Sequence, residues 1–145
     1  MQAKTDSEKY HFLVVDDFGT MRRIVSGLLK QLDYVRISEA DDGISAMKIL
    51  ESGGSDINFI LTDWNMPGMD GMSLLKKVRS TPDLMHLPVL MITAEGKREN
   101  IVEAATAGAD GYIVKPFNAV TLKEKIDKII NRRSAMVAAR SGGEG

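Results

Sequence analysis

The sequence predicts a small doubly wound α/β sandwich, a parallel sheet covered by helices on both faces. Two observations carry this prediction. Short apolar runs alternate with stretches of helical periodicity from one end of the chain to the other. The runs are continuous rather than alternately polar, as expected of parallel strands buried on both faces and joined by crossover helices. A chain of 145 residues, 43% hydrophobic and 27% charged, fits one such domain.

The first strand is expected at residues 12–15 (FLVV), the third at 57–62 (INFILT) and the fourth at 88–92 (PVLMI). Residues 35–39 (VRISE) and 111–114 (GYIV), preceded by turn formers and rich in β-branched side chains, supply the second and fifth. Met21, Ile24, Val25, Leu28, Leu29 and Leu32 mark one face of a first helix at helical spacing. Ala46, Met47 and Leu50 mark a second, ending at Gly53-Gly54, and Leu74, Leu75 and Val78 a third before Pro82. Ile101, Val102, Ala104 and Ala105 define a fourth, closed near Gly108. Leu122, Ile126, Ile129 and Ile130 define the fifth, with Lys123, Lys125 and Lys128 on its wet side. Residues 1–10 read as an N-terminal extension and 11–131 as the folded domain. Residues 132–145 (RRSAMVAARSGGEG) read as a frayed helix running into a flexible tail.

Composition excludes several classes of function. Nineteen Lys plus Arg against 20 Asp plus Glu leave a net charge of -1, without the basic excess of a nucleic-acid or anionic-membrane binder. With no cysteine, disulfide, Cys-zinc and thiol chemistry are out. The opening MQAKTDSEKY has no apolar core of a signal peptide, and no run of about 18 apolar residues occurs, so a cytoplasmic protein is expected. His11 and His86 stand alone and read as surface or loop residues, and the nine Met as adaptable core filling.

In open α/β sheets the ligand crevice lies beyond the carboxyl ends of the strands. There the first strand is followed by Asp16 and Asp17, the third by Asp63, the fourth by Thr93 and the fifth by Lys115-Pro116. Singly, Asp17 or Thr93 reads as a helix cap and Lys115 as a solvated loop lysine. Asp63 is harder to dismiss, because burying an acid at the end of an apolar strand costs several kcal/mol unless it is paired. Together, five polar residues at four strand ends exceed what capping needs, and Asp16 has no capping task if Asp17 takes it. Parallel neighbours lie about 4.8 Å apart, so the three carboxylates converge and call for a cation. An all-oxygen set favours Mg²⁺. The chemistry that follows is transfer of a phosphoryl group to Asp63 as nucleophile, with Lys115 sharing its charge and Thr93 hydrogen-bonding one of its oxygens.

The segments LVVDDFGTMRRIV, LTDWNMPGMDG, VLMITAEGKREN and GYIVKPF resemble, in order and spacing, the receiver domain of two-component response regulators, and within it the single-domain chemotaxis regulators. The resemblance covers about residues 10–131 and implies a flavodoxin-like fold of strand order 2-1-3-4-5. It implies Asp63 as phosphoacceptor and Mg²⁺ held by Asp17, Asp63 and the backbone carbonyl of Asn65, with Asp16 acting through water. It also implies a cis Lys115-Pro116 bond and Tyr112 as an aromatic switch that follows Thr93. Arg98, Ile101, Ala105, Tyr112 and Lys125 correspond to a surface that docks the flagellar switch. The implied partners are a CheA-like histidine kinase, a FliM-like switch protein and a CheZ-like or other phosphatase, with the regulator a monomer. Trp64, Asn65 and Glu95 also match, the last two implying a short-lived phosphoryl state. The domain is then no enzyme beyond its own phosphorylation and autodephosphorylation. One departure is Gly96, expected in the opening of the fourth helix, where glycine costs about 1 kcal/mol.

Three other readings stand beside this one. A receiver serving a phosphorelay or a non-flagellar partner differs only in wiring. A haloacid-dehalogenase-type phosphatase needs two Asp at i, i+2 on one strand end, whereas Asp63 lies 46 residues beyond Asp17. A flavodoxin must cradle a phosphate in its first loop, which DDFGT would repel without a cation.

Overall fold

The computed structural model describes residues 6–52, 55–94 and 96–143. A short helix α1 (Asp6–Lys9) leads into β1 (His11–Val15), α2 (Gly19–Gln31), β2 (Arg36–Ala40), α3 (Gly43–Glu51), β3 (Phe59–Asp63) and α4 (Gly71–Ser80). The chain continues through β4 (Val89–Thr93), α5 (Arg98–Thr106), β5 (Gly111–Val114) and α6 (Ala119–Gly143). The five strands form one parallel sheet in the order β2-β1-β3-β4-β5, as expected, and the five expected helices are α2 to α6. Gly53, Gly54 and Glu95 lie outside the described residues.

The sheet separates two cores, and strand pleating assigns each side chain to one of them. Leu13 and Val15 of β1, with Val89 and Met91 of β4, face α3, α4 and the Ala104 side of α5. Phe12, Val14, Leu90 and Ile92 face α2 and α6, meeting Val25, Leu29, Leu122, Ile126 and Ile129. Tyr34 closes this second core with its ring 4.7 Å from that of Phe12. One position of the expected α2 stripe departs: Ile24 is 49% exposed, and Ser26 is buried in the helix face instead.

Backbone closure at the helix ends is local. Past α2, Asp33 N–H bonds the Lys30 carbonyl and Tyr34 N–H bonds the Leu29 carbonyl, a Schellman closure with Asp33 at φ 68°. Gly108, at φ 102°, makes the same closure after α5, with its N–H on Ala105 and that of Ala109 on Ala104. Asp in the left-handed region is strained where Gly is not. Asp33→Gly is therefore expected to stabilise the fold by about 0.5 kcal/mol in urea denaturation, the relieved strain exceeding the extra unfolded-state entropy.

The carboxyl-terminal segment departs from expectation. Helix α6 runs 25 residues to Gly143, so residues 132–143 of the expected tail are helical. Its anchor is tertiary. Arg133 Nε and Nη2 donate to the two carboxylate oxygens of Asp110 at 2.6 and 2.9 Å, and Arg132 donates to the Asp110 carbonyl at 3.1 Å. Gly96 also departs: α5 begins at Arg98 with Lys97 as its N-cap, so Gly96 precedes the helix and carries no helix-interior penalty.

Candidate functional site

The carboxyl edge of β1 and β3 gathers the acids. Carboxylate oxygens of Asp16, Asp17 and Asp63 all lie within 4.8 Å of one another. Asp63 is the last residue of β3, a strand buried along its whole length, and is itself only 7% exposed. Its register partner on β4 is Ile92, one residue before Thr93, which is buried at that strand's end. Thr93 pairs with Val114, and its carbonyl accepts the Lys115 N–H at 2.8 Å. That bond sets Lys115 at the edge of the pocket, and the Lys115-Pro116 peptide is cis, as the resemblance implies.

Lys115 Nζ donates to Asp63 Oδ1 at 3.0 Å and stands 3.8 Å from Asp16 Oδ2. The solvated-lysine reading therefore gives way to an ion pair inside the acid cluster. Burial is the largest influence on Asp63 and raises its pKa above the ordinary aspartate range; the Lys115 ammonium opposes this, and the charges of Asp16 and Asp17 add to it.

Neither of the two neighbouring acids caps α2. Asp17 does not cap α2: the N-cap is Phe18, with no side-chain cap, and Asp17 is exposed at the pocket. Asp16 makes the local turn, its Oδ1 accepting the Phe18 N–H at 2.9 Å. The capping acids of the neighbouring helices are Asp42 on α3 and Asp70 on α4, accepting from Ser45 N and Ser73 N at 2.7 and 2.8 Å. Nor does Thr93 cap α5, whose N-cap is four residues further on.

The second oxygen of Asp16 is the feature that points to a cation. Asp16 is 1% exposed, and its Oδ2 has no hydrogen-bond partner. Lys115, 3.8 Å away, is too far to donate to it, and a buried carboxylate oxygen without a hydrogen bond is costly, which a cation held by these three all-oxygen side chains would relieve. The donor set is that of a hard divalent ion.

Residues 64–70 form the rim, pinned at both ends. Trp64 N–H bonds the Ile92 carbonyl at 2.9 Å, and the Trp64 carbonyl accepts the Gly71 N–H at 2.8 Å. Gly71 opens α4 directly against β3, where any Cβ would collide with the Asp63 carbonyl oxygen. Asn65 lies exposed on this rim beside Met66, Pro67 and Asp70. Trp64 is half-buried against the α3–α4 core.

Away from the acids, Ile101, Ala105, Tyr112 and Lys125 share one groove of about 230 Å³ between α5, β5 and α6. Lys125 Nζ sits 4.8 Å from the centre of the Tyr112 ring, a cation–π contact. Arg98, expected on the same surface, is exposed at the start of α5 and does not line the groove.

Two features escape a reading of the sequence. Arg22 donates from Nη1 to the Asp16 carbonyl at 2.7 Å and from Nε to Glu39 at 2.9 Å, bracing the loop that carries the acids. Its only signal is an arginine in the first turns of the helix that follows the acid pair. His11, expected to be isolated, is instead fully engaged. Its Nδ1 lies 2.6 Å from Asp56 and its Nε2 2.7 Å from Ser38 Oγ, while Arg36 pairs with the same Asp56. Partial burial, then the Arg36 charge, lower its pKa. These partners lie 27 and 45 residues away in the chain, beyond the reach of spacing arguments. Among the described residues no helix is long and apolar enough to cross a membrane.

Comparison with known proteins agrees with this geometry. The model of the response regulator receiver domain matches residues 12–127. The chain is 62% identical over 120 residues to chemotaxis protein CheY-3 of Vibrio cholerae, covering 83% of this chain and 91% of the relative. It is 58% identical to chemotaxis protein CheY of Pseudomonas aeruginosa, over 83% and 95% of the two chains. The solved structure of CheY4 from Vibrio cholerae superposes with a TM-score of 0.74 at 33% identity, covering 83% of this chain and 98% of that one. A receiver domain protein from Clostridium thermocellum gives 0.75 at 29%, over 88% and 98%. On fold, pocket and sequence together, this chain belongs to the response regulator receiver domain family and is CheY-like within it.

Proposed function

We propose that this receiver is a phosphorylation-activated chemotaxis regulator that takes a phosphoryl group on Asp63 and, so modified, binds a FliM-like flagellar switch protein. The observation that carries the reading is the buried Asp63 carboxylate, paired with Lys115 at 3.0 Å and crowded by Asp16 and Asp17. An Asp63 oxygen forms the new bond to phosphorus. The bond that breaks joins phosphorus to an imidazole nitrogen of a CheA-like histidine kinase, and the electron pair leaves with that imidazole. Asp16, Asp17, Asp63 and the Asn65 backbone carbonyl hold Mg²⁺, which when bound offsets the charge of the carboxylates and of the phosphoryl oxygens. Lys115 supplies a positive charge toward the transferring group, and Thr93 hydrogen-bonds one of its oxygens. Movement of Thr93 toward that oxygen lets Tyr112 turn inward and reshapes the groove between α5 and α6, shifting a two-state equilibrium.

Asn65 and Glu95, flanking the acceptor and Thr93, leave the acyl phosphate open to water, so the phosphoryl state is short-lived. A CheZ-like or other phosphatase shortens it further. The protein works as a cytoplasmic monomer of one receiver domain, residues 11–131.

The single tryptophan beside the acceptor provides the test. Trp64 fluorescence should change saturably with Mg²⁺ and again on adding beryllofluoride, with no second change in Asp63→Asn. A FliM-like N-terminal peptide should bind the beryllofluoride form more tightly than the unmodified one. Equal affinity in both states would remove the switch from this reading. No response of the wild type by fluorescence, together with no covalent phosphoryl by intact mass, would remove the chemistry.

A further inference from the structure

Asp16 stands one residue beyond β1, whose pairing with β3 ends at Val15 and Thr62. All but one of its polar atoms are nevertheless fixed. Its N–H donates to the Ala40 carbonyl of β2 at 3.1 Å, and its Oδ1 accepts the Phe18 N–H at 2.9 Å. Its carbonyl accepts from Arg22 Nη1 at 2.7 Å. The atom left over is Oδ2, buried and without a hydrogen bond. The other two acids are held differently: Asp63 is set by the last register position of β3, and Asp17 is exposed.

Arg22 reaches the Asp16 carbonyl from the start of α2, while its Nε donates to Glu39 on the edge strand β2 at 2.9 Å. One planar guanidinium therefore ties the loop of the acids to the sheet, a task that a lysine, with a single ammonium, performs less well. Its charge is a liability there, because a guanidinium on the backbone of a ligating acid repels the cation that the acid is to hold. The Glu39 carboxylate offsets that charge, so Arg22 braces the loop without a net repulsion. The demand for bracing depends on the ion. Mg²⁺ requires near-ideal octahedral geometry at about 2.0–2.1 Å, whereas Ca²⁺ accepts irregular sets at about 2.3–2.6 Å.

We propose, on the reading of the acid pocket as a Mg²⁺ site, that Arg22 braced by Glu39 is a positioning residue that sets the pocket's preference for Mg²⁺ over Ca²⁺. Arg22 acts through the Asp16 backbone. With the N–H, the carbonyl and Oδ1 all held, Oδ2 is presented in one place, as a small ion of strict geometry needs. Charge and geometry then predict opposite signs when Arg22 is removed. Arg22→Met takes away a positive charge and leaves Glu39 unpaired, so electrostatics alone would tighten the binding of either cation. Loss of positioning instead weakens Mg²⁺ and weakens Ca²⁺ much less.

The test titrates the full chain with Mg²⁺ and, separately, with Ca²⁺, read by Trp64 fluorescence and by calorimetry. Arg22→Met should lose about tenfold in Mg²⁺ affinity and much less in Ca²⁺ affinity. Arg22→Lys, which keeps the charge without the two-sided fork, should fall between it and wild type for Mg²⁺. Glu39→Gln keeps an oxygen for Arg22 Nε but leaves its charge unopposed, so both ions should weaken alike, less so as salt is added. Melting temperatures in chelator accompany each titration. Should Arg22→Met lose stability, the ratio of the two affinities in Arg22→Lys decides, since a loosened fold weakens both ions equally. Unchanged or tighter Mg²⁺ binding in Arg22→Met, or equal losses for the two ions in both Arg22 variants, would overturn the inference. If wild type gives no Mg²⁺ response by either readout, the metal reading falls and the inference with it. A responding wild type matched by Arg22→Met removes the inference alone.

Discussion

Asp63→Asn should take up no phosphoryl group from acetyl phosphate and Mg²⁺, and in metal-free buffer it should fold more stably than the parent. The first outcome follows from the nucleophile: an amide oxygen carries no charge with which to attack phosphorus, and no other acid in the pocket is paired with Lys115 at hydrogen-bond distance. Intact mass decides it. The second follows from electrostatics. Burial raises the Asp63 pKa in the folded state, so above the ordinary aspartate range the ionised side chain opposes folding. Asn removes that charge from beside Asp16 and Asp17, for a gain of about 1 kcal/mol at neutral pH. As pH falls through the raised folded pKa, wild type takes up the proton and the penalty disappears, so the two stabilities should converge in mild acid. Urea denaturation in chelator at neutral and mildly acidic pH measures this. A variant less stable than wild type at neutral pH would show that the Lys115 pair outweighs the crowding.

Asp110→Ala should destabilise the fold by about 3 kcal/mol. The substitution leaves two arginines facing each other without their shared carboxylate, and deprives the Val89 N–H at the start of β4 of its acceptor at 2.9 Å. Against a total stability of about 5–15 kcal/mol, the loss should lower the melting temperature by roughly 10 °C. Asp110→Asn, which keeps an oxygen for Val89 while losing the charge, should fall between the two. Calorimetry of the three proteins suffices. A melting temperature for Asp110→Ala within a degree or two of wild type would mean that α6 is held by the apolar contacts of Leu122, Ile126 and Ile129 and that the paired arginines contribute little.

These two residues also mark the boundary of what the amino-acid order makes readable. Asp63 was legible because β3 is buried on both faces. An apolar run admits an acid at its end only for a purpose, and the strand order then brings that acid to Asp16, Asp17 and Lys115 from two other parts of the chain. The same two-sided burial made β1, β3 and β4 visible as short apolar runs, whereas the outer strands β2 and β5, only partly buried, showed through β-branched content and preceding turn formers. Asp110 was not legible. It sits in a turn where any small polar residue is at home, and its meaning lies in Arg79 and Arg133, 31 and 23 residues away. Without those contacts the segment after Asn131 presents only three Arg against one Glu and a Ser-Gly-Gly finish, which is why it reads as a tail. The capping of α2 failed for a related reason: a pocket that needs Asp17 exposed toward it withholds that side chain from the helix end. Ile24 and His11 show the remaining limit, since periodicity assigns residues to a helix face or a strand but not to the neighbours they meet there.

The sheet divides the interior into two cores that share no side chain, and α5 and α6 belong to opposite ones. Among the described residues they come together around the edge strand β5, where residues of both line one groove. A ligand lying across that edge touches one helix of each layer, and so gauges how the two layers are set relative to each other. A change of less than an ångström at the end of β4, too small to alter either layer's own packing, is then readable as a mismatch between them. Signalling at this edge would need no large rearrangement of the fold, only a slip between two rigid halves.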